Sequence, residues 1–201
     1  MPRSRSKSPR ARAFEALREL LRDKVTEEDS LPGLFDFENH DMGRYADRAA
    51  ALITATVLEQ GLEYALASHF VELDPNEHRD LFSEDADAPL SSFAARVRLA
   101  YALGVFGPKT RDDLTCIRAV RNAFAHAKAH LNFQSPQIIA VCDLLHYPTR
   151  VKAGFLPIME DPQSARDKYI TTAQFLTIYF FGTPHEGPIR YKQSSWADLA
   201  D

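Results

Sequence analysis

Apolar positions recur at spacings of three and four along most of this chain, and no alternating series competes with them, which predicts an all-α fold. Between Ala11 and Lys24 the set Phe14, Leu17, Leu20 and Leu21 marks an amphipathic helix. A longer helix is expected from Asp47 through His69. Its Leu52, Ile53, Val57, Leu58, Leu62, Ala65, Leu66 and Phe70 make the broad stripe of a helix packed on two neighbours. Leu31 to Asn39, holding Pro32 and Gly33, reads as a connector. Asp74 to Pro89 is acidic and turn-rich, with Leu81 and Phe82 as its anchors to the body.

Ser91 and Ser92 are candidate N-caps for a helix that presents Phe93, Val97, Ala100 and Tyr101 and stops near Gly104 or Gly107–Pro108. Asp112 or Asp113 opens the next, with Leu114, Ile117, Val120 and Phe124 inward. Pro136 starts a helix that Pro148 ends. Ala165 to Phe181 is the last, although its threonines and aromatics also suit a strand segment. The sum is a single bundle of six or seven helices over residues 14–181, between a disordered basic tail (1–13) and an extension from 182 to 201. The helices carrying Arg96 and Arg121 are expected as antiparallel neighbours across the Gly104–Asp112 loop.

Charge divides the chain unevenly. The net charge is −4, yet Arg3, Arg5, Lys7, Arg10 and Arg12 all precede the first acid, Glu15, so the rest carries −9 (−4 less +5). An acidic body is a poor match for a large nucleic-acid face. The tail either contacts phosphate backbone through charge or serves as a solubilising extension. No apolar run is long enough to span a bilayer and no secretory core opens the chain, so the expected location is cytoplasmic. Cys116 and Cys142 form no CxxC pair; reduced core thiols fit a cytosolic protein, with a disulfide as the other option.

The densest signal is Arg96-Val-Arg98, Tyr101-Ala-Leu-Gly104, then Asp113-Leu, Ile117-Arg118 and Arg121-Asn-Ala-Phe-Ala-His126. The run SFAARVRLAYALGVFGPKTRDDLTCIRAVRNAFAHA resembles the signature of the mannitol operon repressor family: a Phe-x-x-Arg helix with a Leu-Gly end, a loop, then Asp-Leu…Ile-Arg-x-x-Arg-Asn-x-Phe-Ala-His. DRAAALITATVLEQGLEYAL is similar to that family's preceding long helix, and Ser135 to Leu145 to the segment after it. The likeness spans residues 44–146, about half the chain. It implies an all-helical fold and a part in regulating transcription of a carbohydrate operon. No helix-turn-helix is evident, so specific reading of duplex DNA is not expected, and action would pass through a protein partner or a ligand. Arg48, Arg96, Arg118 and Asn122 are the candidate partner- or ligand-binding residues.

Arg121 to His126 also resembles the Arg-x4-His motif of HEPN-type nucleases, which are helical too. Asn122 and His126 share a helix face, Arg121 adjoins it, and Arg118 lies one turn before Asn122. On this second reading His126 relays a proton, Arg121 holds the scissile phosphate, and Arg118 and Asn122 support them, so RNA is cut without metal. That family's motifs meet across a homodimer, which the resemblance implies here. The plainer alternatives are structural: Arg121 and Asn122 bonded to carbonyls near Gly104, His126 capping its helix, and one of Arg96 and Arg98 solvent-facing while the other pairs with Asp47 or Glu63. Arg48 is by default a salt-bridge residue. Tyr101 and Phe124 are core by spacing. Neither a cofactor nor a metal site is expected, since Gly104-Val-Phe-Gly107 lacks a phosphate loop's lysine and no Gly-x-Ser-x-Gly or helical ExxH set occurs.

Overall fold

A computed structural model describes residues 7–22, 42–83, 87–127, 131–147 and 163–182. Among these residues the chain forms seven α-helices and no strand: α1 (Pro9–Arg22), α2 (Met42–Ala67), α3 (Pro75–Phe82), α4 (Phe93–Ala102), α5 (Pro108–His126), α6 (Pro136–Cys142) and α7 (Ala165–Gly182). The all-α bundle expected from periodicity is therefore present, and the possible strand near Tyr169 is helix. The expected connector Leu31–Asn39 and nearly all of the 182–201 extension lie outside the described residues.

Local chemistry explains where several elements begin. The Ser8 hydroxyl accepts the Ala11 N–H (3.2 Å) and Pro9 follows at the first helical position, so the helix expected from Ala11 begins two residues earlier, at Pro9. Asp74 and Glu77 form a reciprocal capping box with Pro75 just inside, which makes a helix of a stretch that charge had suggested was turn. Phe82, at its end, is buried as expected. Gly104 closes α4 at φ +76°, with Val105 N–H reaching Ala100 O and Gly104 N–H reaching Tyr101 O, the two crossed bonds of a left-handed C-cap. Pro108, taken as a stop, instead opens α5 after the N-cap Gly107.

The bundle is organised around α5, which packs on α1, α2, α4, α6 and α7. It buries Leu114, Cys116, Ile117, Val120, Ala123 and Phe124. An aromatic row carries the core onward: the Phe124 and Phe133 rings lie 5.0 Å apart, and Phe133 and Tyr169 5.4 Å. Buried Tyr169 then donates its hydroxyl to Ala51 O (2.9 Å), tying α7 to α2. Both cysteines are buried free thiols. Two residues expected in the core stripe of α2 are exposed. Ile53 (63% exposed) and Val57 lie on the outer side of α2, because α4, α5 and α7 cover its other sides. Tyr101 is half-buried, with the Arg111 guanidinium 4.3 Å above its ring.

Candidate functional site

Arg118, Arg121 and Asn122 stand at spacings of three and four on α5, so one stripe of that helix projects all three in the same direction. They line a cleft of about 340 Å³ together with Glu59 of α2 and the start of α4, Ser91 to Ala94. All three are half-buried. Arg121 Nη1 donates to Asn122 Oδ1 at 3.1 Å, which holds the pair side by side. The neighbours of the pair are therefore the Ser91–Ala94 turn and Glu59, not the carbonyls near Gly104.

His126 is the last residue of α5 and is exposed, and it does not line the cleft. The adjoining Ala125 carbonyl accepts Arg48 Nη2 at 2.9 Å, a cation placed at the negative end of the helix. Arg48 thus fastens the start of α2 to the end of α5. Its neighbour Asp47 is engaged with Arg166 Nε (3.2 Å) and the Phe133 N–H (3.1 Å).

Arg96 belongs to a different structure, behind the cleft. Its Nε donates to Leu90 O and its Nη2 to Phe82 O, both at 2.7 Å. Nη1 meets Glu63 Oε2 at 2.9 Å and Glu59 Oε1 at 3.3 Å. The partner within α2 is thus Glu63, as sequence allowed, and not Asp47, while Arg98 is the solvent-facing arginine. With its guanidinium occupied on all sides, Arg96 holds the Phe82 and Leu90 carbonyls in place and leaves ligand contact to others. Glu59 joins the two arrangements. It was not among the residues singled out, although an acid between Leu58 and Leu62 inside an apolar stripe is the signal that marks it.

Asp113 was another residue whose role escaped sequence reasoning, where it served as a helix start. It is fully buried, and its Oδ1 accepts both the backbone N–H (2.8 Å) and Nδ1 (2.9 Å) of His146. A second cleft, apolar and about 490 Å³, opens beside Leu90, lined by His69, Phe70, Leu73, Leu81, Leu90 and Leu99 among others. Among the described residues no group of three His, Cys, Asp or Glu could hold a metal, and no helix is long and apolar enough to cross a membrane.

Comparison of the chain with protein families, with curated proteins and with solved structures finds no match.

Proposed function

We propose that this chain is a regulatory protein of the mannitol-operon-repressor kind, acting on transcription through a ligand or a protein partner. The observation that carries this reading is the gathering of Arg118, Arg121 and Asn122 in one half-buried cleft, with His126 outside it. Such a cleft suits binding more than proton transfer, which needs the acid–base group within hydrogen-bond reach of the reacting atoms. The arrangement also speaks against direct DNA reading. A recognition helix must offer an open face to the major groove, whereas α5 packs on five other helices and its Arg118 and Arg121 line the cleft. The test is a deletion strain complemented with either wild type or an Arg118→Gln/Arg121→Gln variant. Deletion should change transcripts of a carbohydrate-uptake operon, and only wild type should restore them. Unchanged transcripts, or a footprint of the purified chain alone on operator DNA at physiological salt, would overturn the reading.

A second reading, metal-independent cleavage of RNA, draws on one specific observation. His126 is exposed on the same helix as the bonded Arg121–Asn122 pair, four residues from Asn122. In this version two copies of the chain combine their motifs across a homodimer, and a strand of RNA spans them.

A further inference from the structure

The cleft holds more donors than its own residues use. Arg121 spends one hydrogen bond on Asn122, and Arg118 has no hydrogen-bond or ion-pair partner among the described residues. Opposite them, the amides of Phe93 and Ala94 have no acceptor among the described residues. Ser92 Oγ takes the Ala95 N–H, and Ser92 O takes those of Ala95 and Arg96. The dipole of α4 adds partial positive charge at that end. One acid, Glu59, lines the wall, and Arg96 offsets it from behind. Arg96, Arg118 and Arg121 against Glu59 and Glu63 leave the cluster one positive charge in excess. Two half-buried guanidiniums one helical turn apart repel each other, and an anion placed between them removes that cost.

We propose that this cleft is a binding site for a phosphate-type anion. Arg118 and Arg121 grip it from α5 with forked, charge-assisted bonds, and the Phe93 and Ala94 amides meet it from the start of α4. The Ser91 hydroxyl and the Asn122 amide supply further donors. At about 340 Å³ the cleft is at the small end of the range for small-molecule sites. The inference rests on the regulatory reading and gives its ligand a chemical class. The same chemistry is offered by a free phosphorylated metabolite and by the backbone of an RNA strand.

The experiment is a thermal-shift and calorimetric titration of the full chain with inorganic phosphate and with pyrophosphate, at constant ionic strength against chloride. At about 10 mM, phosphate or pyrophosphate should raise Tm by roughly 2 °C or more. Affinity should fall about tenfold or more in Arg118→Gln and in Arg121→Gln, which keep the side-chain stem. Arg98→Ala, on the exposed side of α4, should bind as wild type, and circular dichroism verifies that each variant is folded. No shift with either anion, or the same shift in both glutamine variants as in wild type, would overturn the site. Competition with a short single-stranded RNA then names the source. Displacement of pyrophosphate assigns the anion to a nucleic-acid backbone, and retention assigns it to a metabolite; both keep the site. Failure of the anion titration alongside an intact transcript phenotype removes the ligand while leaving the regulatory reading standing.

Discussion

Arg96 Nη1 stands 2.9 Å from Glu63 Oε2 at a point where the guanidinium is almost sealed from water. One side chain there answers two carboxylates and two backbone carbonyls from three separate segments. Removing it leaves shielded acids uncompensated and carbonyls without donors. Arg96→Ala should therefore cost about 3 to 5 kcal/mol of stability in urea unfolding. Arg96→Lys should recover little, because a point charge cannot span four acceptors. A loss below about 1 kcal/mol would contradict the clamp.

Burial pushes the thiols of Cys116 and Cys142 from the ordinary value of 9.0 up to about 12. Cys116 also feels Arg10, which works in the opposite direction, and Cys142 feels the neighbouring Cys116. Between 9 and 12 the unfolded chain has lost these protons while the folded chain keeps them, so stability must fall as pH rises through that window. Below 9.0 the contribution is fully present. An aromatic disulfide reagent at pH 8 should label neither thiol until denaturant is added. Labelling of the native protein at the rate of a free thiol would show that the core around α5 and α6 opens.

The capping box at Asp74 gives a milder, local prediction. Asp74→Ala should destabilise by about 1 kcal/mol. The loss should appear first as faster amide exchange in α3, Pro75–Phe82, since the Asn76 and Glu77 amides lose their acceptor. Uniform acceleration across all helices would mean that α3 folds and unfolds with the whole bundle.

Asp113 should tolerate substitution poorly. Asp113→Ala removes the acceptor of both His146 donors and is expected to cost about 2 to 3 kcal/mol. His146→Ala should cost less, since the backbone N–H of residue 146 still reaches the carboxylate. Equal losses would place the weight on the imidazole.

The nuclease reading yields a direct assay. Under the regulatory proposal, purified protein leaves single-stranded RNA uncut in chelator from pH 6 to 8. Cutting that leaves 2′,3′-cyclic phosphate ends and disappears in a folded His126→Ala variant would move the site to that chemistry. Arg121→Ala would then lose on the order of 2 to 4 kcal/mol of transition-state stabilisation.

Helix periodicity carried most of the fold, because a buried stripe must repeat every three or four residues whatever lies on the other side. It could not tell which side of α2 was covered, so Ile53 and Val57 looked like core. Boundaries were lost where a residue has two meanings. Proline ends one helix and opens another, and Pro108 and Pro75 both open one. Composition hid α3 behind its charge, although the Asp74–Glu77 spacing was legible. At the site, Arg118, Arg121 and Asn122 were readable because they sit on one helix at adjacent turns. Glu59 and the Ser91–Ala94 turn were not, since tertiary packing alone brings α2 and the start of α4 to that stripe. Arg96 was legible in part for the same reason: Glu63 was an expected partner, but Glu59 and the Phe82 and Leu90 carbonyls, 37, 14 and 6 residues away, were not.

The two walls of the cleft differ mechanically. One is α5, braced by five helices, and it acts as an anvil that cannot shift without disturbing the whole core. The other is a thin leaf, Leu90 to Ala94, fastened at Leu90 by Arg96 and by the Leu81 carbonyl. Leu90 on that leaf faces the apolar cleft, while Ser91 and Ser92 face the polar one. The place of that leaf is therefore fixed by Arg96, a side chain that lines neither cleft.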